Sequence, residues 1–153
     1  MIEIYEYKAF KPKLRPGYVR ADLEIYGIDT FRQSYSGLIY FNTPRPDPKN
    51  LNPDDPACAG QFAIFGHLEC TGDDGHCHMR APQRFDTRRS SPLTPAFKRV
   101  EVTEGLRRAL DDTDELAITI VVADELGSKA AEEGSDYKTP LLKCKGLQLV
   151  TFA

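Results

Sequence analysis

The sequence predicts an all-β fold, an antiparallel β-sandwich of about six to eight strands with one short helix. Two observations lead to this prediction. Apolar and polar residues alternate with period 2 in several separate runs, which is typical of strands with one buried face. The runs are separated by loops rich in proline, aspartate and glycine, which interrupt regular structure. A single helical segment among so many strands favours a sandwich.

Each predicted strand is an alternating or apolar run that is bounded by turn residues. The clearest run is VRADLEIYGI at residues 19–28, in which Arg20, Asp22 and Glu24 are expected to face outward. IEIYEY at residues 2–7 is a candidate for a further strand at the N-terminus. The remaining predicted strands are SYSGLIYFNTP around residues 38–41, QFAIFGHLE at 61–69, FKRVEV at 97–102, ELAITIVVAD at 115–124 and LLKCKGLQLVTF at 141–152.

One segment, TEGLRRALDD, has the pattern of a short helix of about two turns. Thr103 is its expected N-cap, and Leu106, Ala109 and Leu110 share one face. The segment NTPRPDPKNLNPDDPACAG at residues 42–60 contains five prolines, so neither a helix nor a strand interior is expected there. There is no internal repeat and no linker, and residues 1–153 are expected to form one β-sandwich domain.

Composition and charge exclude several classes of function. The chain has 41% hydrophobic and 28% charged residues, a net charge of −3 and a pI near 5.6, so no basic surplus is present to bind nucleic acid. No apolar run approaches the roughly 20 residues that a membrane helix needs. Because MIEIYEYKAFKPK carries glutamates where a signal peptide is apolar, a cytoplasmic location is expected. Cysteines in that compartment are expected to be reduced or metal-bound.

The segment GHLECTGDDGHCH, residues 66–78, is the candidate metal site. It contains every histidine of the chain and two of the four cysteines, and its candidate ligands are His67, Cys70, His76, Cys77 and His78. Their sulfur and imidazole donors suit zinc or copper, and the GDDG turn would bring the two ends together. Cys58 is a further possible ligand from the preceding loop. A Cys70–Cys77 disulfide and a loop without special chemistry are the alternatives that the sequence leaves open.

The other sequence features do not point to catalysis. Cys144 stands between Lys143 and Lys145, so alternation turns it inward, where it is expected to act as a small hydrophobic residue. The chain has neither a G-x-S-x-G motif nor a glycine loop of the kind that binds phosphates. The chain alone is therefore not expected to be an enzyme.

The order of three segments, GYVRADLEIYGID, SYSGLIYFNTP and CAGQFAIFGH, resembles the C-terminal β-sandwich of molluscan-type hemocyanins and related tyrosinases. The residues that carry the resemblance in the third segment are Ala59, Gly60, Phe62, Ala63, Ile64 and Gly66. Further along, RFD and RVEVTEGLRRALDDTDELAITIVVAD are similar to the family's strand, short helix and acidic turn. The closing strand from Gly146 to Val150 matches plant polyphenol oxidases as well. The resemblance spans residues 17 to 152.

The resemblance implies an accessory function. In that family the sandwich covers a separate helical domain that holds paired copper ions, and many members insert a bulky side chain above the coppers. Phe31 and Tyr35 are the candidates for that side chain here. The family's copper pair needs six histidines on helices, whereas this chain has three, all in one loop that the family pattern lacks.

The resemblance therefore predicts a non-catalytic lid, chaperone-like or accessory module for a helical type-3 copper protein, with a possible copper or zinc contact in the Cys/His loop. A free-standing zinc or copper metalloprotein or metalloenzyme using residues 67–78 is the first alternative. A metal-free interaction domain is the second. Neither nucleic acid nor a membrane is an expected partner.

Overall fold

Two antiparallel β-sheets and one short helix make up the computed structural model, which describes residues 1–31, 33–44, 46–67, 85, 95–124 and 140–153. Seven strands lie in these ranges, and they confirm the predicted all-β class. The elements are β1 (Ile2–Phe10), β2 (Arg20–Ile28), β3 (Tyr35–Phe41), β4 (Cys58–Ile64), β5 (Ala96–Glu101), α1 (Thr103–Ala109), β6 (Leu116–Asp124) and β7 (Gly146–Phe152).

The larger sheet has the strand order β1-β6-β3-β4, and the smaller sheet has the order β5-β2-β7. The main core contains alternate residues of the central strand β2, namely Ala21, Leu23 and Ile25, each with no exposed surface. Buried residues of β3 and β6 such as Ile39 and Ile120 belong to the same cluster. Period-2 alternation therefore reports the core-facing residues of β2, as predicted.

Strands β3 and β6 are buried on both faces. Leu38, Tyr40 and Val121 form a second cluster on the side of the large sheet that faces away from the main core. Leu51 and Ala57 of the proline-rich segment pack against this cluster. The long apolar runs in both strands are thereby explained, because a strand that is covered on both sides loses its polar alternation.

The proline-rich segment that follows β3 forms neither helix nor strand from Asn42 to Ala57, apart from Arg45, which lies outside the described residues. The prediction for its last three residues was wrong, because β4 already begins at Cys58. Backbone pairing of Cys58 with Tyr40 extends the strand to within two residues of Pro56.

Several other strand limits differ from the prediction. β1 runs on to Phe10, and β4 ends at Ile64, before the predicted limit of 69. β7 begins only at Gly146, so residues 141–145 are not strand, although Leu141 and Leu142 are buried. Those residues are buried but do not pair with a neighbouring strand, and burial alone gives the apolar pattern that suggested a strand.

Thr103 does not cap the helix, contrary to the prediction. Val102 occupies the N-cap position, no side chain caps the helix there, and Thr103 is the first helical residue. The Thr103 hydroxyl instead accepts a hydrogen bond of 3.0 Å from the backbone N–H of Ala21 in β2. The predicted apolar face is correct, since Leu106 is fully buried and both Ala109 and Leu110 pack against the core.

Asp22 was predicted to face outward into solvent, but it is only 1% exposed. Its Oδ1 accepts a 2.7 Å hydrogen bond from Nε of Arg20, and Nε of Arg99 lies 3.8 Å from Oδ2. Arg99 also donates to Glu24 through a 2.6 Å hydrogen bond from Nη2 to Oε1. The stems of both arginines lie over the outer face of the small sheet and shield the carboxylate from water.

Among the described residues, no helix has the length and apolar character required to cross a membrane.

Candidate functional site

The candidate site lies at the end of the sandwich where the β2–β3 connection meets the residues after β4. Antiparallel pairing of β3 with β4 places Tyr35 opposite Ile64, so the segments just outside this pair are neighbours. The backbone N–H of His67 donates to the carbonyl oxygen of Thr30 at 2.9 Å. The N–H of Gly66 donates to the hydroxyl of Ser34 at 3.1 Å. Two hydrogen bonds therefore join the two connections.

Two phenylalanines from these connections are exposed. Phe31 is 44% exposed and Phe65 is 78% exposed. The imidazole of His67 lies edge-on to the ring of Phe65, with the ring centroids 5.7 Å apart. We call Phe31, Phe65 and His67 the aromatic end of the sandwich. Large apolar side chains that stay in solvent at one place on a surface indicate a contact with another molecule.

Hydrogen bonds around Asp29 position the β2–β3 connection. Its Oδ1 accepts from the backbone N–H of Phe31 at 2.9 Å, and its own N–H donates to the carbonyl of Lys143 at 2.8 Å. Nζ of Lys143 lies 3.9 Å from Asp29 Oδ2. The backbone that presents Phe31 is thus tied to the segment that leads into β7.

Tyr35 is excluded as a side chain that enters a partner's pocket. It is only 2% exposed, and its ring packs edge-on against Phe62, with the ring centroids 6.4 Å apart. Of the two sequence candidates, only Phe31 has its ring exposed to solvent. The sequence did not indicate that Phe65 would also be exposed at this end, because Phe65 was expected inside a continuous strand.

Of the five candidate ligands in residues 66–78, His67 is the one that the structure describes. It is exposed and lies three residues beyond the end of β4. Cys70, His76, Cys77 and His78 lie outside the described residues, so the metal site and the Cys70–Cys77 disulfide both stay predictions. Within the described ranges, no three His, Cys, Asp or Glu side chains are close enough together to hold a metal ion.

Cys58 was expected to be a possible further ligand from the preceding loop, but the structure places it in a strand. Cys58 is the first residue of β4, whereas His67 follows the last residue of that strand. Seven residues of strand cover roughly 20 Å at about 3.3 Å each, so the two side chains cannot share an ion. The Cys58 thiol instead donates to the Gly60 carbonyl at 3.3 Å.

Cys144 is half-buried against the core between two exposed lysines, which agrees with its predicted inward direction. Burial raises the pKa of the Cys144 thiol above its usual value of 9.0. Burial, and then contact with Cys144, raise the pKa of Tyr7 to about 12. Burial also raises the pKa of the Cys58 thiol. Both thiols are therefore protonated at neutral pH and are weak nucleophiles.

We expect the protein to lose stability in alkali for the same reason. The folded state holds the thiol protons more tightly than the unfolded state does. The stability that the protonated thiols contribute is therefore complete below the usual thiol pKa of 9.0, and it is lost as the pH rises through the pKa values of the folded state. Urea unfolding at increasing pH should show this decline, and Cys144→Ala should reduce it. If the free energy of unfolding instead increased with pH above pH 9.0, the result would contradict the raised pKa values of the thiols.

Comparison of the chain with protein-family models, with curated proteins and with solved structures gave no significant match. The function is therefore inferred from the aromatic end and from the sequence resemblance.

Proposed function

We propose that this chain is a non-catalytic accessory module, a lid or chaperone-like sandwich that binds a helical type-3 copper protein through its aromatic end. The observation that carries the proposal is the exposure of Phe31 and Phe65 on two connections that the hydrogen bond from His67 to Thr30 joins. The class of partner follows from the resemblance of the strands and the short helix to the C-terminal sandwich of hemocyanins and tyrosinases.

The energetics of the aromatic end favour a protein partner. Burying a phenylalanine side chain stabilises a complex by about 1.5–3 kcal/mol, and aromatic residues are enriched at the centres of protein interfaces. Phe65, at 78% exposure, has most of its surface available for such a contact. The hydrogen bond from His67 to Thr30 holds the two connections together before binding, which lowers the entropy lost on association.

Copper chemistry belongs to the partner in this function. The whole chain has three histidines, fewer than the family's copper pair requires, and all three lie between residues 67 and 78. In the lid function, Phe31 is the candidate for the side chain that enters the partner's pocket. A zinc or copper contact that begins at His67 is the alternative function and stays a prediction.

The test uses a tyrosinase whose own C-terminal sandwich has been removed. Added chain is expected to bind the copper-loaded helical domain and to slow catechol oxidation without removing copper. The Phe31→Ser/Phe65→Ser variant should bind at least tenfold more weakly, equivalent to about 1.4 kcal/mol. Isothermal titration calorimetry measures the affinity, and the absorbance of catechol oxidation products measures the rate.

Phe97→Ser is the matched control, because Phe97 lies on β5 and its exposure of 51% falls between those of Phe31 and Phe65. This control should bind as the unchanged protein does. Equal affinity of the Phe31→Ser/Phe65→Ser variant and the unchanged protein would refute the aromatic end as the binding surface. Complete absence of binding by the unchanged protein would refute the type-3 copper partner.

A further inference from the structure

A cleft opens between β1 and β7, the strands at one edge of the large sheet and one edge of the small sheet. Its volume is about 310 Å³, at the lower end of the range of roughly 300–1,000 Å³ for small-molecule sites. None of its lining residues belongs to the aromatic end. The cleft is therefore a separate feature of the sandwich.

The floor and walls of the cleft are apolar. Leu23 of β2 and Ile118 of β6 reach it from the main core, so it penetrates between the two sheets. Leu147 and Leu149 stand two residues apart on β7 and therefore form one wall from a single face of that strand. Phe10, which is 41% exposed, lies at its margin. Filling this space would remove apolar surface from water.

Lys8 also lines the cleft, at a β-bulge in β1. Tyr7 pairs with Ile118 and Phe10 with Leu116, so three steps along β1 match only two along β6. In a regular strand Tyr7 and Lys8 would point to opposite faces. Both residues line the cleft here, where the bulge interrupts the regular alternation.

Among the described residues that line the cleft, Lys8 is the only charged one. Tyr7, the other polar side chain there, interacts with the Cys144 thiol. An ammonium group beside an apolar surface is complementary to a ligand with an apolar body and one negative head group. The cleft is thus complementary to both the apolar body and the negative head group of such a ligand.

We propose that the cleft between β1 and β7 binds an amphipathic monocarboxylate, with the alkyl chain between Ile118 and the two leucines of β7 and the carboxylate at Lys8. Charge complementarity with Lys8 identifies the head group, and the apolar lining identifies the body. This site is independent of the proposed accessory function and of the aromatic end.

The test is a calorimetric titration of the full chain with decanoate, below the concentration at which decanoate forms micelles. Decanoate is expected to bind with a stoichiometry of one. Decyltrimethylammonium, which has the same alkyl chain and the opposite charge, should bind about tenfold more weakly. Lys8→Met should weaken decanoate binding by a similar factor. Lys49 is an exposed lysine in the proline-rich segment, so Lys49→Met should leave decanoate binding unchanged.

Leu149→Trp should abolish binding by filling the cleft. Since this variant also risks misfolding, amide chemical shifts of the unchanged protein provide an independent measurement. Decanoate should shift the signals of Tyr7, Leu147 and Leu149. Non-saturable binding, shifts confined to Phe31 and Phe65, or equal binding of the two amphiphiles would each overturn the proposal.

Discussion

Asn42→Ala is expected to lower the free energy of unfolding by about 3 kcal/mol, although the residue is exposed and lies just after β3. Its side chain makes three hydrogen bonds to backbone groups. Nδ2 donates to the carbonyl of Ala109 at 2.8 Å and to that of Glu115 at 2.9 Å. Oδ1 accepts from the N–H of Ala117 at 2.7 Å. One side chain thus joins the end of β3, the end of α1 and the start of β6.

Two separate effects contribute to the expected loss. A hydrogen bond contributes about 1 kcal/mol net, and because Asn42 is exposed, water replaces part of the contribution of its three hydrogen bonds. Asn42 also has φ +49°, in the left-handed region that asparagine tolerates and alanine does not. Placing alanine there costs roughly 1–2 kcal/mol.

Urea unfolding of three variants separates the hydrogen bonds from the backbone strain. Asn42→Gly removes the hydrogen bonds but accepts the positive φ, so it should lose about 1 kcal/mol less than Asn42→Ala. Asn42→Asp keeps the acceptor but places a carboxylate against the carbonyls of Ala109 and Glu115, so it should be at least as unstable as the alanine variant. A loss below about 0.5 kcal/mol in Asn42→Ala would mean that water replaces these bonds fully.

The sequence predicted those features of the fold that depend on neighbours along the chain. Alternation identified β2 because every second residue from Ala21 to Ile25 enters the core. The helix pattern identified α1 because Leu106 and its neighbours need one apolar face. Asn42 was predicted only as a residue that ends a strand. Its three partners lie 67 to 75 positions away, so no local pattern reveals them.

The features missed at the candidate sites depend on the pairing of distant strands. The connections that carry Phe31 and Phe65 are neighbours because the register of β3 and β4 sets Tyr35 opposite Ile64. Asp22 is shielded partly by Arg99, whose position depends on the pairing of β5 with β2. Lys8 lines the cleft through a bulge whose existence is fixed by pairing with β6. Register is a property of strand pairs, and single-strand alternation does not specify it.

Gly105→Ala is expected to destabilise the protein by about 2–3 kcal/mol, even though alanine favours helix over glycine by roughly 1 kcal/mol. Gly105 is buried in α1 where the helix crosses β4. A Cβ at this position would lie 2.4 Å from the Cβ of Ala59 and 2.7 Å from its Cα. Since the second of these atoms is backbone, the helix itself must move away from the sheet.

The movement would disturb the side chains that anchor the helix. Leu106, the next residue, is fully buried and would be drawn partly out of the core. Loss of its packing adds a cavity cost to the clash. Helix propensity favours alanine at this position, but the packing cost outweighs it because both the clash and the cavity act against the substitution.

A double-mutant cycle with Ala59→Gly tests this contact directly. Ala59→Gly removes the nearer of the two clashing atoms but leaves the Cα at 2.7 Å, so it should restore part of the stability lost in Gly105→Ala. Ala59→Gly alone should be mildly destabilising, since glycine weakens a strand. The losses are measured by urea unfolding, with the dependence on urea concentration unchanged. If the losses in the double variant are purely additive, the close contact with Ala59 is not the reason that position 105 requires glycine.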